Sequence, residues 1–237
     1  MSGSLANVTG AILAGGLGTR LRACVADRPK VLALVRGRPY LTYLLDQLAG
    51  AGLGEVVLLT GYMGELVQTT LGASYAGMRL AYSREPSPLG TGGALRLALP
   101  CIPSSAVLLL NGDSFCDVDL PRLWDFHCRQ RAEVTMTLSS VPDTARYGRV
   151  RIAQDTVECF EEKREAGGAG WINAGVYLIN RDRIAPIPTG RPISLERDVL
   201  PTWAKRDCVR GFRCTGRFLD IGTPQSYAEA ESFFRAA

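Results

Sequence analysis

A glycine-rich segment directly after the first apolar run decides the fold of this chain: residues 10–30 read GAILAGGLGTRLRACVADRPK. Residues 11–14 have the apolar character of a short buried strand. Three glycines follow at Gly15, Gly16 and Gly18, and the cations Arg20 and Lys30 are among the residues after them. Glycines leave backbone N–H groups open to a phosphate, and a helix N-terminus adds positive potential to such a site. The segment therefore predicts a phosphate-binding loop after the first strand.

Two other glycine loops do not fit this segment. The dinucleotide fingerprint G-x-G-x-x-G requires a third glycine where Leu21 stands. The Walker loop closes with Gly-Lys-Ser or Gly-Lys-Thr, and no such triplet follows here. A dinucleotide-dependent oxidoreductase and a P-loop enzyme are therefore disfavoured.

The composition is that of a soluble globular protein that binds small anions. Of 237 residues, 46% are hydrophobic and 21% charged. The formal net charge is +4, and the arginines are spread along the chain rather than clustered. A modest positive charge of this kind suits the binding of small, multiply anionic molecules, and it does not imply binding of nucleic acid. No apolar run approaches the roughly 20 residues that cross a bilayer, and the N-terminus lacks a signal peptide's features. We expect a cytoplasmic protein without membrane contact, with its seven cysteines as free thiols.

The first half of the chain alternates predicted strands with helix-length segments. Helical spacing occupies residues 40–48, 66–71 and 92–99. Buried strands are predicted at residues 56–60, 78–82 and 106–110. This alternation is typical of βαβ units, so we expect an α/β, Rossmann-like fold with a mostly parallel central sheet flanked by helices.

The second half is richer in strands, predicted at residues 134–138, 149–152, 157–160 and 172–179. A helix is predicted over residues 194–205, and a second begins at Thr223 and Pro224, a capping hydroxyl followed by proline. No linker or repeat divides the chain. We expect a single domain over residues 1–237, with a nucleotide-binding half to about residue 120 and a sugar-phosphate-binding half from about residue 121.

Six short motifs resemble those of the sugar-1-phosphate nucleotidyltransferases and follow one another in that family's order. They are GGLGTRL at residues 15–21 with PK at 29–30, LGTGGA at 89–94, NGD at 111–113, FEEK at 160–163, NAG at 173–175 and DIGTP at 220–224. Each is weak alone, but the ordered set spans nearly the whole chain. The resemblance implies the GT-A-like fold of nucleotide-diphospho-sugar transferases, with a small strand-rich sugar-binding part.

Within this family the chain is most similar to heptose 1-phosphate guanylyltransferases. The likeness lies in NGDSFCDVDL at residues 111–120, RYGRV at 146–150 and SLERD at 194–198. It implies transfer of a nucleotide from GTP to D-glycero-D-manno-heptose 1-phosphate, giving GDP-heptose and pyrophosphate. The alternatives are a mannose-1-phosphate guanylyltransferase, a glucose-1-phosphate thymidylyltransferase, a MurNAc-1-phosphate uridylyltransferase or a catalytically silent regulatory subunit. A homo-oligomer is one option for its assembly.

The resemblance also implies which residues bind the nucleotide. Arg20 holds the outgoing end of the triphosphate. Glu85 lies where family members read the base, and an ionised carboxylate can accept both adjacent donors of guanine. The full nucleotide set is Leu13, Ala14, Gly15, Gly16, Gly18, Thr19, Arg20, Glu85, Gly90, Thr91, Gly92, Asn111 and Gly112.

Asp113 and Asp220 are the predicted metal ligands. Asp113 ends an apolar strand and Asp220 precedes a Gly-Thr-Pro turn. Single carboxylates at strand ends suit Mg²⁺, which keeps several waters and takes one or two protein oxygens besides phosphates. We therefore expect Mg²⁺ as the cofactor, with Mn²⁺ able to replace it.

The sugar phosphate is assigned by resemblance to five residues: Lys30, Glu162, Lys163, Asn173 and Gly175. Lys30 bridges the α-phosphate and the sugar phosphate, Lys163 holds the sugar phosphate, and Glu162 accepts hydrogen bonds from sugar hydroxyls. Asn173 and Gly175 line the sugar pocket. The catalytic set implied by the family is Arg20, Lys30, Asp113, Lys163 and Asp220.

Two further polar residues are predicted to be structural. His127, the only histidine, lies in a helical stretch with no second metal ligand nearby in the sequence. Asp119 precedes a helix that starts near Leu120, so we expect it to cap that helix.

Overall fold

A ten-stranded mixed sheet forms the centre of the computed structural model, which describes residues 5–22, 24–161 and 168–235. Glu162 and Lys163 lie outside the described residues. The strands are β1 (Thr9–Ala14), β2 (Leu34–Val35), β3 (Arg38–Pro39), β4 (Glu55–Thr60), β5 (Ser74–Tyr75), β6 (Met78–Arg84), β7 (Ala106–Asn111), β8 (Ser114–Cys116), β9 (Val134–Val141), β10 (Arg149–Ala153), β11 (Thr156–Glu161), β12 (Gly170–Asn180), β13 (Val209–Cys214) and β14 (Phe218–Asp220). The helices are α1 (Leu41–Gly50), α2 (Gly64–Leu71), α3 (Gly90–Ala98), α4 (Leu120–Arg129), α5 (Arg181–Ile184), α6 (Leu200–Ala204) and α7 (Pro224–Phe233).

The strand order of the large sheet is β10-β11-β13-β9-β12-β7-β1-β4-β6-β5. Strands β7, β1, β4 and β6 are parallel to one another, which confirms the predicted Rossmann-like core. The chain runs outward from β1 through β4 to β6 and then returns to the other side of β1 as β7. Ligands of such sheets bind at the carboxyl ends of the strands where the order reverses. That position lies between β1 and β7.

The strand-rich half extends the same sheet. Strand β12 is antiparallel to both β7 and β9, and the predicted pairing of residues 149–152 with 157–160 is present as β10 and β11.

The helix predicted over residues 194–205 is divided into a π-helical turn, Leu195–Val199, and α6. Pro201 has no N–H to donate to the carbonyl of Arg197, so a regular α-helix cannot run through this point.

Helices cover both faces of the sheet, and each face has its own hydrophobic core. Helices α1, α2, α4 and α7 pack on one face, where Leu44 and Leu48 contact the side of β1 that carries Ile12. Helices α3, α5 and α6 cover the other face, on which Ala11 lies. Burial on both faces explains why the parallel strands are continuously apolar. None of the described helices has the length and apolar character needed to span a bilayer.

A small two-stranded ribbon, β8 with β14, was not predicted from the sequence. Asp220 pairs with Ser114 in this ribbon, and the N–H of Ile221 donates to the carbonyl of Asp113 at 2.9 Å. Helix α7 begins directly after it with the predicted Thr223 cap, reinforced by Ser226 as a capping box. The ribbon thereby brings together two carboxylates that are far apart in the sequence.

His127 and Asp119 have the structural roles predicted for them. His127 is buried and hydrogen-bonds through its two ring nitrogens to Thr135 and Asn180, while burial lowers the pKa of its imidazole. The Asp119 carboxylate accepts the N–H of Arg122 at the start of α4. All seven cysteines are free thiols.

The glycines at the start of α3 allow another segment to pack against this helix. The carbonyl of Ile193 accepts the N–H groups of Gly92 and Gly93 at 2.9 and 3.2 Å, and the N–H of Ile193 donates to Leu89. Gly90 has φ +71°, and a Cβ there would lie 2.5 Å from the Ile193 oxygen. The N–H groups of Gly92 and Gly93 are therefore bonded within the chain.

Replacing Gly90 with alanine is expected to weaken this contact. The left-handed conformation costs an L-residue about 1–2 kcal/mol, and the clash with Ile193 adds to it, so we expect at least that loss in the free energy of unfolding. Gly50 is the matched control, because it lies at the end of α1, lacks a positive φ and has nothing within 4 Å of an added Cβ. Urea denaturation compares the two variants. Equal stabilities of Gly90→Ala and Gly50→Ala would contradict the proposed packing constraint.

Candidate active site

The predicted functional residues gather where β1 and β7 end. The N–H of Gly112, the residue directly after β7, donates to the carbonyl of Leu13 near the end of β1 at 3.0 Å. A Cβ at Gly112 would collide with that same carbonyl oxygen, so glycine permits the close approach. The approach places Asp113 beside the glycine loop.

Three adjoining clefts share Asp113 as a lining residue. The first, which we name the glycine-loop cleft, has a volume of about 420 Å³ and contains most of the predicted nucleotide residues. The second, the cationic cleft, measures about 380 Å³. The third, the strand-rich cleft, measures about 850 Å³ and includes Asn173. A group held at Asp113 is thus accessible from all three sides.

The structure divides the predicted residues among these clefts. Thr19 and Arg20 line the cationic cleft, and Lys30 lines both that cleft and the glycine-loop cleft. Ala14, Gly92 and Gly175 are not among the residues that line the three clefts. The predicted residues on the glycine-loop cleft are Leu13, Gly15, Gly16, Gly18, Lys30, Glu85, Gly90, Thr91, Asn111, Gly112 and Asp113.

The glycine loop differs from the prediction in one respect. We expected a helix N-terminus to add positive potential, but over residues 15–22 and 24–29 the described chain forms turns and irregular structure. Only a short 3₁₀ turn, Lys30–Leu32, follows. Positive charge at this loop therefore comes from side chains, Arg20 and Lys30 above all.

Two ion pairs cross the cationic cleft. Lys30 Nζ lies 2.6 Å from Asp113 Oδ2, and Arg146 Nη2 lies 2.5 Å from Asp220 Oδ1. Arg20 has no ion pair with any described residue. Each carboxylate predicted to bind metal is therefore neutralised by a cation of the chain, and one further cation faces the same cleft.

The residues around Asp113 and Asp220 fit a hydrated divalent cation. Tyr40 is fully buried beneath them, and its hydroxyl has no hydrogen-bond partner in the described part of the chain. Burial raises the pKa of this hydroxyl, and the charges of Asp113 and Asp220 raise it further. Metal-bound water can donate to such an orphaned oxygen. Mg²⁺ retains several waters and needs only one or two protein oxygens besides phosphates, a requirement that two carboxylates can meet.

Glu85 is held on the wall of the glycine-loop cleft. Its Oε2 accepts the N–H of Leu89 at 2.8 Å, which fixes the turn that leads into α3. Its Oε1 packs against Gly15 and Gly61, neither of which has room for a side chain. Burial raises the pKa of the Glu85 carboxyl, and the hydrogen bond from Leu89 opposes that rise. Glu85 thus connects the ends of β1, β4 and β6.

Asn173 occupies a bulge in β12 beside Asn111. Its Oδ1 accepts the N–H of Gly175 at 3.0 Å, and its Nδ2 donates to the hydroxyl of Tyr177 at 2.7 Å. The pairing register of β12 with β9 shifts between Asn173 and Tyr177. The NAG motif therefore shapes this bulge, and Gly175 packs closely against Asn111.

Sequence reasoning assigned no role to two charged residues at the site, Arg146 and Glu196. Glu196 Oε2 accepts hydrogen bonds from Thr91 at 2.7 Å and Ser194 at 3.1 Å, and the residue lines both the glycine-loop and strand-rich clefts. Both residues belong to segments that resemble the heptose enzymes, at 146–150 and 194–198. The sequence motifs that contain Arg146 and Glu196 could be recognised, but the distant residues that these two side chains contact in the fold could not be predicted.

The arrangement is suited to bringing two anions together. A phosphate chain fits beside the glycine loop, and a second phosphate can approach Asp113 from the strand-rich cleft. Lys30 lines both the glycine-loop cleft and the cationic cleft, and Arg20 lines the cationic cleft. Such a site works by alignment and by neutralising the charge that accumulates as two anions meet.

Comparison with known proteins agrees with this geometry. The chain matches the family described as nucleotidyl transferase over residues 9–236. It is 36% identical to the D-glycero-alpha-D-manno-heptose 1-phosphate guanylyltransferase of Aneurinibacillus thermoaerophilus, over 93% of this chain and 95% of that one. It is also 36% identical to the mannose-1-phosphate guanylyltransferase of Mycobacterium tuberculosis, over 95% of this chain but only 64% of the relative's length.

Solved structures show the same relationship. HddC from Yersinia pseudotuberculosis complexed with GMP-PN superposes with a TM-score of 0.84 at 30% sequence identity. The match covers 96% of this chain and 99% of HddC. The matched family, the curated relatives and this structure agree with the motif order in the sequence: the chain belongs to the nucleotidyl transferase family.

Proposed function

We propose that this protein transfers GMP from GTP to D-glycero-D-manno-heptose 1-phosphate, forming GDP-heptose and pyrophosphate. The observation that carries the proposal is the position of Asp113, which borders all three clefts and pairs with Lys30. The relatives support the choice of substrates, because the heptose enzyme of Aneurinibacillus thermoaerophilus matches over nearly its whole length.

In the proposed reaction a phosphate oxygen of the sugar 1-phosphate attacks the α-phosphorus of GTP. The new P–O bond forms as the bond to the β-phosphate breaks, and pyrophosphate leaves. The attacking oxygen is already ionised at neutral pH, so no general base is needed. Lys30 bridges the two reacting phosphates, and Arg20 holds the leaving end.

Other residues complete the proposed site. Asp113 and Asp220 hold Mg²⁺ or Mn²⁺, which when bound neutralises charge on the phosphates. Lys163 binds the sugar phosphate and Glu162 accepts hydrogen bonds from the sugar hydroxyls, while Asn173 forms part of the sugar pocket. These roles rest on the family's motifs and on the lining of the strand-rich cleft.

Substrate choice is tested by measuring pyrophosphate release from five nucleoside triphosphates against a panel of sugar 1-phosphates. We expect the highest kcat/KM for GTP with D-glycero-D-manno-heptose 1-phosphate. A higher value with mannose 1-phosphate would replace the heptose assignment by the mannose one. Absence of turnover with every pair would contradict nucleotidyl transfer and favour a silent regulatory subunit.

Loss of either metal carboxylate should abolish most turnover. We expect Asp113→Asn and Asp220→Asn each to lower kcat by about a hundredfold or more, or about 2.7 kcal/mol in the barrier. EDTA should stop the wild-type reaction, and Mg²⁺ or Mn²⁺ should restore it. Asp119→Asn is the control, since asparagine also caps helices and the Asp119 carboxylate accepts a backbone N–H at the start of α4. Near wild-type activity of either site variant at limiting Mg²⁺ would show that its carboxylate is not a ligand.

We propose that Glu85 contributes to selection of guanine. Its carboxylate oxygens can accept the N1–H and 2-amino donors of guanine, and Oε2 can do so alongside the N–H of Leu89, since a carboxylate oxygen accepts two hydrogen bonds. Uracil would set a carbonyl against the same carboxylate. A buried acceptor that is left without a donor in this way costs roughly 1–3 kcal/mol, which corresponds to about a ten- to hundredfold preference for GTP over UTP.

In Glu85→Gln, the ratio of kcat/KM for GTP to kcat/KM for UTP should therefore fall. We expect the variant to lose most of the tenfold or greater preference for GTP, which corresponds to a loss on the order of 1–3 kcal/mol in discrimination between the two bases. Glu65→Gln serves as control, because Glu65 is exposed on α2 and pairs with Arg84. Steady-state kinetics with both nucleotides gives the ratio. An unchanged ratio in Glu85→Gln, with GTP still preferred, would place base recognition elsewhere.

A further inference from the structure

The guanidinium of Arg146 is the cation that pairs with the Asp220 carboxylate. Its Nη2 donates to Asp220 Oδ1 at 2.5 Å and to Ser226 Oγ at 3.1 Å, and its guanidinium carbon lies 5.2 Å from the centre of the Tyr147 ring. The same Asp220 oxygen accepts the N–H of Gly222 at 2.6 Å. Asp220 is thereby fixed in β14 and already neutralised.

The two ion pairs of the cationic cleft differ in how firmly their cations are held. The Lys30 side chain is only 13% exposed, whereas the Arg146 side chain is 39% exposed. Arg146 also belongs to the connection between β9 and β10, while Lys30 lies in the turn directly after the glycine loop. The greater exposure of the Arg146 side chain gives it more room to move away from its carboxylate than Lys30 has.

A divalent cation bound by Asp113 and Asp220 would lie next to the guanidinium of Arg146. Like charges at that separation repel strongly in a partly buried site. Arg146 and the metal therefore compete for Asp220. Arg146 lines the cationic cleft together with Thr19 and Arg20, so a displaced guanidinium can contact a ligand held in this cleft.

We propose that Arg146 neutralises Asp220 in the metal-free enzyme, is displaced when the divalent cation enters, and then binds the pyrophosphate end of the nucleotide together with Arg20. The inference rests on the proposed function, because it takes Asp220 as a metal ligand. It makes Arg146 a further phosphate-binding residue whose availability depends on the metal.

Mn²⁺ binding without nucleotide tests the first half of this proposal. Electron paramagnetic resonance titration should show Arg146→Ala binding Mn²⁺ about tenfold more tightly than wild type, because a competing occupant has been removed. Arg151→Ala is the matched control, since Arg151 is an exposed arginine on β10 with long contacts to Glu158 and Glu161. A merely structural role for Arg146 would not tighten metal binding.

The reverse reaction tests the second half. With GDP-sugar as co-substrate, Arg146→Ala should raise the KM for pyrophosphate about fivefold or more, and Arg151→Ala should leave it unchanged. Thermal melts verify folding, and Arg146→Met, which retains an aliphatic side chain against Tyr147, replaces Arg146→Ala if that variant does not fold.

Asp220→Asn separates failure of this proposal from failure of the proposed function. Weaker Mn²⁺ binding by Asp220→Asn, with no tightening in Arg146→Ala, would overturn the role of Arg146 alone. Mn²⁺ binding unaffected by Asp220→Asn would overturn the metal site itself and the competition with it. Tightening in Arg146→Ala with an unchanged KM for pyrophosphate would overturn the phosphate-binding step.

Discussion

The ion pair between Lys30 and Asp113 joins the two loops that leave β1 and β7, and it lies where the strand order of the sheet reverses. Parallel pairing of these strands directs both loops to the same edge. The hydrogen bond from Gly112 to Leu13 then holds the start of the loop after β7 against the end of β1. Because Asp113 borders three clefts, a nucleotide and a second phosphate can reach it from different sides.

The far end of the chain completes this centre. Strand β14 pairs with β8, so that Asp220 lies beside Ser114. Phe234, the residue directly after α7, stacks on Tyr43 at 3.9 Å between ring centres and meets Phe115 of β8 edge-on. The catalytic carboxylates of the proposed reaction thus come from opposite halves of the sequence. These aromatic contacts join the end of the C-terminal helix to α1 and to β8, the strand that pairs with β14.

Much of this arrangement was predictable from local sequence. Continuous apolar runs identified the parallel strands, and the ordered motifs identified the residues that now surround Asp113. The β8–β14 ribbon was missed because three-residue strands have too little periodicity to detect. The Arg146–Asp220 pair spans 74 positions, a separation that only the tertiary fold reveals. Gly90 and Gly92 were assigned to nucleotide binding by resemblance, but the hydrogen bonds that the N–H groups of Gly92 and Gly93 donate to Ile193 could not be predicted from the sequence.

The most direct measurement is a crystal structure of the protein with a non-hydrolysable GTP analogue and Mn²⁺, with diffraction data collected at the manganese edge. We predict an anomalous peak between Asp113 and Asp220, in contact with both carboxylates, with the triphosphate along the glycine loop and Lys30 on the α-phosphate. An anomalous peak away from these two carboxylates, or a nucleotide bound outside the glycine-loop cleft, would contradict the site described for this chain.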